Sequence, residues 1–148
     1  CIRDSGVAVD LRDSQNPKLV CTSRTENCFK FFTLDGKYIN TLELPGLYVC
    51  RPVMDDQNIY AGVCWSKTRE DNKGWVQDTG FVTIIEGDKV VSNPGGTEPE
   101  YKNGKLGQMY QDSEIFNHGH DVCVDDDKNL YVCQWNANKT YPIKLERI

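Results

Sequence analysis

The sequence has no run of about 18 apolar residues, so it predicts no helix that crosses a membrane. It also has no basic cluster: the 17 lysines and arginines are scattered among 22 acidic residues, and the net charge is -5. Because phosphate binding needs clustered cations, the sequence argues against a nucleic-acid partner. A Gly-rich phosphate loop after a strand and a Gly-x-Ser-x-Gly motif are both missing.

Histidine is scarce, because the chain contains only His118 and His120. One copy of the chain therefore cannot supply a three-histidine metal site. Seven cysteines are present, but none forms a Cys-x-x-Cys pair, so a zinc ribbon or a redox motif is not indicated. We expect buried thiols that act as small apolar side chains, with a disulfide between neighbouring strands as the alternative.

What the sequence does contain is a hairpin pattern that occurs three times, at 7–22, 51–62 and 122–133. In each copy, apolar or β-branched residues flank a polar turn, which is typical of two paired strands. The second and third copies align residue by residue. The matched pairs are Val53 with Val124, Asp55 with Asp126, Asn58 with Asn129, and Tyr60 with Tyr131.

Further strand sequence follows each hairpin. After the first copy, segments 29–33 and 38–44 flank Asp35 and Gly36, and an Asp-Gly pair is the strongest short-range signal for a hairpin. One unit therefore has four strands, and it repeats after about 44 residues. Four strands at a period of about 40–45 residues are typical of a β-propeller blade.

The predicted fold class is all-β, a β-propeller of four-stranded antiparallel blades. Blade one is placed at 7–46, blade two at 47–117 with a long loop insertion at 93–117, and blade three, which is incomplete, at 118–148. Residues 1–148 then form a single partial propeller domain.

Three blades cannot close a ring, so we expect about half of a six-bladed propeller whose end blades expose apolar faces. The missing blades would come from the rest of a longer chain or from a second copy. The chain begins at Cys1 without an initiator methionine, which favours a longer chain.

The segments 7–10, 31–38 and 120–132 resemble those of the NHL-repeat six-bladed β-propellers, and the chain looks like the C-terminal half of one. This family includes an enzyme of peptide amidation, the peptidyl-hydroxyglycine amidating lyase. The resemblance implies a metal, zinc or calcium, held by histidines at the inner-strand ends. Only His120 falls on such a position, and His118 is a second candidate two residues upstream. The alternative is that His120 caps the start of the strand.

Three further residues are candidates for ligand binding. Arg51 lies at the start of the inner strand of blade two, where its guanidinium could bind a carboxylate. Trp135 follows the second strand of blade three, where an aromatic ring can form the wall of a pocket. Asp121 adjoins His120 and could orient it. The structural alternatives are a salt bridge for Arg51, packing between blades for Trp135 and a turn acceptor for Asp121. We expect Arg24 to lie on the solvated surface.

Two functions are consistent with these residues. The first is a binding scaffold that holds a peptide, carbohydrate or protein ligand at the channel mouth and the long loops. The second is a metal-dependent lyase or hydrolase that resembles the amidating lyase. Many similar bacterial propellers are exported, so we expect a periplasmic or extracellular location.

Overall fold

The computed structural model describes residues 4–68, 76 and 78–148. Within them the chain is all-β, which confirms the predicted class: its strands form several antiparallel sheets, and its one helical element is a 3-10 turn at Arg24–Glu26. None of these sheets closes on itself. In the same residues, no helix has the length and apolar character needed to cross a bilayer.

The first sheet is a four-stranded meander in chain order. Its strands are β1 (Asp4–Asp10), β2 (Lys18–Ser23), β3 (Cys28–Thr33) and β4 (Tyr38–Glu43). The predicted strands agree with these bounds to within a few residues. The Asp-Gly turn is also confirmed, because Gly36 adopts φ of 86°, a left-handed conformation that glycine favours.

The second sheet lies between the other two. Its strands are β5 (Leu47–Val49), β6 (Val53–Met54), β7 (Asn58–Ser66), β8 (Phe81–Glu86) and β9 (Lys89–Ser92). The sequence predicts one inner strand at 48–53, but the structure splits it into β5 and β6, which both pair with β7. Pro52 lies in the gap, and proline cannot donate a ladder hydrogen bond. Most of β7 is buried, because it runs through the middle of the fold.

The third sheet has three strands in the described chain. They are β12 (Gly119–Val124), β13 (Leu130–Gln134) and β14 (Ile143–Leu145). Its residues alternate between two faces, as the hairpin pattern predicts. Val122 and Val132 are buried in the core, whereas Cys123 and Cys133 are exposed on the opposite face.

The predicted long excursion at 93–117 is more ordered than its composition suggests. It contains a short hairpin, β10 (Tyr101–Lys102) and β11 (Lys105–Leu106), which the sequence analysis missed. The chain returns to the core through Met109 and Phe116, which are almost fully buried. The apolar pairs Met109-Tyr110 and Ile115-Phe116 predict anchors for this return. Met109 and Phe116 agree with that prediction, whereas Ile115 is 49% exposed, so the prediction is wrong for Ile115.

The hairpin alignment needs two corrections. Val53 lies opposite Tyr60 and Cys123 lies opposite Tyr131, so Val53 is equivalent to Cys123 and not to Val124. The backbone N–H of Asp55 and that of Asp125 each donate to the carbonyl of the asparagine that follows their own turn. Asp55 is therefore equivalent to Asp125 and not to Asp126. The third turn has one residue more than the second, and its Lys128 adopts φ of 65°. The alignment matched the two asparagines, so the residues before the turn were offset by one position.

The three sheets approach each other closely along their first two strands. A Cβ atom on Gly6 of β1 would lie 2.8 Å from the Cβ of Arg51, and one on Gly62 of β7 would lie 2.7 Å from the carbonyl oxygen of Gly119. Because glycine has no Cβ atom, it permits both close approaches. The buried core between the sheets includes Phe29, Leu44, Leu47, Val49, Ile59, Val63, Phe81, Ile85 and Val122.

Candidate functional site

The second strands β2, β7 and β13 begin at the hairpin turns, here called the turn end, and finish at the opposite edge, here called the rim. A β-bulge lies near the rim in all three sheets. The extra residue is His120 on β12 in the third sheet, Cys64 on β7 in the second, and a residue between Asp4 and Val7 in the first. Bulges are frequent next to functional sites, because they redirect a side chain.

Four ring-bearing residues meet at the rim between the second and third sheets. This aromatic cluster consists of Tyr48, Trp65, His118 and Trp135. The rings of Trp65 and Trp135 are 5.6 Å apart and nearly perpendicular, and Tyr48 lies 5.3 Å from Trp65. The His118 ring is edge-on to both indoles. Such edge-to-face contacts stabilise aromatic groups in fixed relative positions.

His118 is buried, and both of its ring nitrogens are engaged. Its Nε2 accepts a hydrogen bond from the backbone N–H of Asp78 at 3.1 Å, so the ring proton is on Nδ1. Nδ1 donates to the carbonyl oxygen of Trp135 at 2.9 Å. The sequence predicts a metal ligand here, but this arrangement leaves neither nitrogen available. His118 instead joins the segment before β8 to the end of β13.

His120 is half-buried one position after the start of β12. Burial lowers its pKa, the positive charge of Arg24 lowers it further, and the carboxylate of Asp121 opposes both effects. The uncharged imidazole is therefore favoured at neutral pH. This is the protonation state that a metal ligand requires.

Arg51 and Asp121 form a salt bridge between the second and third sheets. The Arg51 Nη2 atom donates to both carboxylate oxygens, at 3.1 and 3.0 Å. The two side chains are 51% and 42% exposed, so the pair adds little to stability. The structural alternative that the sequence left open for Arg51 is thus present. A ligand carboxylate would have to compete with Asp121.

Arg24 is not on the solvated surface, so that expectation is wrong. The 3-10 turn after β2 brings its half-buried side chain over the ring of Tyr48, with the guanidinium carbon 5.2 Å from the ring centroid. Its Nε donates to the carbonyl oxygen of Val49, and its Nη2 lies 3.3 Å from the sulfur of Cys50. Arg24 therefore connects the first sheet to the aromatic cluster.

The cysteines only partly follow the sequence prediction. Cys28, Cys50 and Cys64 are buried, as expected, but Cys123 and Cys133 are exposed. The described cysteines are not joined in disulfides. Cys1 lies outside the described residues. So does most of the stretch 66–78, whose polar composition predicts a solvent-exposed loop.

The metal that the resemblance implies does not fit the described residues. In 4–68, 76 and 78–148, no group of three or more His, Cys, Asp or Glu side chains could hold a metal ion. His118 is engaged on both nitrogens, which leaves His120 as a single candidate ligand. The described residues of one copy therefore do not supply a zinc or calcium site, and a metal at His120 is a prediction that rests on the sequence alone.

The sequence predicts Trp135 and His118 as site residues, and it places Trp65, like Trp135, at the end of a second strand. The sequence analysis missed Tyr48, the fourth member of the aromatic cluster. It also missed a groove of about 500 Å³ at the turn end, between the second and third sheets. Tyr60, Leu130 and Lys128 line this groove, and it contains none of the predicted site residues. In this groove the ammonium group of Lys128 already pairs with two carboxylates of the second sheet, so a ligand would have to compete with them for that group. We therefore regard the rim as the better candidate site.

The chain gives no match to protein-family models, to curated proteins or to solved structures. Its resemblance to the NHL-repeat propellers therefore stays a prediction from three sequence segments.

Proposed function

We propose that the three sheets are consecutive blades of a partial β-propeller and that the rim binds a ligand. The propeller is supported by the meander order of the strands and by the close approach of successive sheets at Gly6 and Gly62. The bulge near the rim in each of the three larger sheets supports a repeated unit as well.

The proposed binding role rests on one observation, which is the exposure of one indole of the aromatic cluster and the missing hydrogen bond of the other. Trp135 is 46% exposed although its ring packs against Trp65 and His118. The Trp65 Nε1 is buried, and no described residue accepts its hydrogen bond. A buried donor without an acceptor costs about 1–3 kcal/mol, which is the kind of cost tolerated at a binding site.

The chemistry of the rim fits a ligand that combines a flat apolar surface with hydrogen-bonding groups. The exposed indole of Trp135 offers a rigid apolar face, and the adjacent strand β12 carries the half-buried ring of His120, which can form hydrogen bonds. Sugar rings and peptide side chains both have this character. The ligand classes are therefore the peptide, carbohydrate or protein that the sequence predicts.

The test is a titration of the purified chain with a panel of neutral oligosaccharides and short peptides, followed by tryptophan fluorescence and calorimetry. We expect the Trp135→Ala variant to bind any positive member at least tenfold more weakly, because a central aromatic anchor typically contributes about 2 kcal/mol or more. Tyr141→Ala is the control, since Tyr141 is 89% exposed and outside the cluster.

Equal affinity of the Trp135→Ala variant and the wild-type chain would contradict the proposal. A wild-type chain that binds none of the oligosaccharides and none of the peptides would contradict it as well. Metal analysis of the same preparation tests the lyase alternative. Stoichiometric zinc or calcium that is lost in His120→Ala would favour that alternative over a metal-free scaffold.

A further inference from the structure

The third sheet has a free edge at β14. The first sheet ends on its fourth strand, β4, and the second sheet ends on β9, the strand that follows β8. The third sheet ends one strand earlier, and within the described residues no strand pairs with the outer edge of β14. The edge of a sheet presents unpaired backbone donors and acceptors, so it can accept a further strand.

The register of the third sheet shows which backbone groups point to this edge. The backbone N–H of Asp125 donates to the carbonyl oxygen of Asn129, and hydrogen-bonded pairs alternate along antiparallel strands. Leu130 therefore directs its backbone groups towards β14, where it lies opposite Leu145. By the same alternation, Lys144 directs its N–H and its carbonyl oxygen away from β13 and towards the free edge.

The groove at the turn end adjoins this edge, because Leu145 and the residues after it are part of its lining. Ile84 and Val91 line the groove from the second sheet, and Leu130 and Leu145 line it from the third. Val91 is 44% exposed, whereas the adjacent Val90 belongs to the buried core and is 2% exposed. The groove thus offers apolar side chains from both sheets beside an unpaired strand.

The second sheet shows what kind of residue can lie at this edge. Ile59 and Leu130 are equivalent, because each follows the asparagine of its own turn. Their partners on the third strands are Ile85 and Leu145. Ile85 in turn lies opposite Val90 of β9, whose side chain is almost fully buried. The position opposite Leu145 therefore suits a β-branched apolar residue on an added strand.

The charges beside β14 indicate which residue should precede that apolar one. In the second sheet, Glu86 lies opposite Lys89 of β9. Glu146 takes the place of Glu86 in the third sheet, one residue after the aligned leucine. Its ion pair with Lys144 joins side chains that are 73% and 42% exposed, so the carboxylate is held only weakly. A cation on the added strand would complement it.

We propose that the edge of β14 and the adjoining groove bind an extended peptide segment of a partner protein, which adds a fourth antiparallel strand to the third sheet. The segment carries a basic residue opposite Glu146, followed by a β-branched residue that packs against Leu145. Backbone hydrogen bonds to Lys144 supply affinity, and the two side chains supply specificity. Such a strand leaves the ion pairs of Lys128 in place, and its binding does not depend on the rim.

The probe is a synthetic, fluorescein-labelled peptide that copies residues 87–93 of this chain, which include Lys89 and Val90. Fluorescence anisotropy follows its binding to the purified full chain. We expect saturable binding that slows backbone hydrogen exchange at Lys144. A peptide with Val90→Asp should bind at least about tenfold more weakly, because it brings a carboxylate into an apolar groove. This comparison uses the wild-type chain alone.

Two variants of the chain test the two parts of the site. Lys144→Pro removes the N–H at the free edge and should weaken binding at least about tenfold, because proline cannot donate to an added strand. Val91→Asp should have a similar effect through the wall of the groove. Val9→Asp is the matched control, because Val9 is also an exposed strand valine but lies outside the groove, so the affinity should change less than about twofold.

The wild-type chain decides the proposal first. If it does not bind the peptide, or binds the Val90→Asp peptide equally well, the proposal is overturned. Wild-type affinity in both Lys144→Pro and Val91→Asp would overturn it too. A chain that dimerises without binding the peptide, and whose dimer is lost in Lys144→Pro, would assign the edge to a second copy and thereby refute the peptide partner.

Discussion

At the scale of single residues, Asp55 shows how a buried charge is stabilised in this fold. Its carboxylate accepts hydrogen bonds from the backbone N–H groups of Gln57 and Asn58, from the Tyr60 hydroxyl and from the Lys128 ammonium. Burial by itself would raise the pKa of Asp55, but these donors hold the pKa well below its usual range. The carboxylate therefore stabilises the turn of the second sheet in its charged form.

Asp55→Asn should lower the free energy of unfolding by about 2 kcal/mol, because an amide nitrogen would replace one acceptor among four donors. Urea denaturation at pH 7 measures the change. Asp56→Asn is the matched control: Asp56 also contacts Lys128, but its side chain is 71% exposed, so we expect a loss below about 0.5 kcal/mol. Equal losses in the two variants would contradict this account of Asp55.

The same carboxylate gives a pH dependence with a definite sign. Because the folded-state pKa of Asp55 is lowered, its contribution is present above the ordinary aspartate pKa of about 3.9 and is lost as the pH falls towards the folded-state value. The acid-induced loss of stability should therefore be smaller in Asp55→Asn than in the wild-type chain. Denaturation series between pH 7 and pH 3 compare the two.

At the scale of elements, the contact between β7 and β12 depends on a glycine. A Cβ atom on Gly62 would lie 2.7 Å from the carbonyl oxygen of Gly119 and 2.8 Å from the carbonyl carbon of His120. Both are backbone atoms, which cannot move aside as a flexible side chain can. Any larger residue at position 62 therefore has to push the second and third sheets apart.

Gly62→Ala should lower the free energy of unfolding by about 3 kcal/mol, because overpacking a tight core costs about 1–3 kcal/mol and here the obstacle is backbone. Thermal and urea denaturation measure the loss. Gly107→Ala is the control, since a Cβ there would meet its nearest neighbour, the Glu100 carbonyl oxygen, at 3.3 Å. A Gly62→Ala variant as stable as this control would show that the sheets can separate at little cost.

The elements were predictable where local patterns decide them. Alternating apolar residues and the Asp-Gly turn gave the strands of the first sheet, and the hairpin repeat gave β12 and β13. The split between β5 and β6 was missed although Pro52 is visible in the sequence. The short hairpin β10–β11 was missed because two-residue strands carry too little periodicity to be recognised.

The site was predictable only in part, because it depends on bulges and on contacts between sheets. Trp135 was identified from its place after a second strand and His118 as a second metal candidate upstream of His120, and the structure brings the two rings into contact. The contact of Arg24 with the aromatic cluster and the position of Cys64 in a bulge could not be predicted from the spacing of residues. A bulge changes which residues share a face, and nothing in the local sequence marks Cys64 as the extra residue.

At the scale of the whole molecule, the first sheet has one covered face and one open face. Val20 and Phe31 are buried on the inner side, whereas Val7 and Val9 on β1 are 58% and 51% exposed. Large exposed apolar patches are rare on soluble monomers, and they promote association. An exposed apolar face is what the sequence predicts for an end blade. The partner that would cover it, from a longer chain or a second copy, stays a prediction.

Val9→Lys should reduce concentration-dependent association of the purified chain, because the charge interrupts the apolar face without entering the core. Sedimentation velocity over a range of concentrations measures this effect, and the free energy of unfolding should change by less than about 0.5 kcal/mol. Ser14→Lys adds the same charge in an exposed turn. If both variants associate alike, net charge rather than the face of β1 controls the behaviour.

The two ends of the molecule hold its sheets together by different forces. At the turn end, Lys128 reaches Asp55 and Asp56 of the neighbouring sheet, and Arg12 donates to the carbonyl oxygen of Gln57. At the rim, the second and third sheets meet through the edge-to-face rings of Trp65, His118 and Trp135. Dissolved ions screen charges but leave ring packing intact. A rise in ionic strength would therefore weaken the contacts between sheets at the turn end and leave the ring contacts at the rim in place.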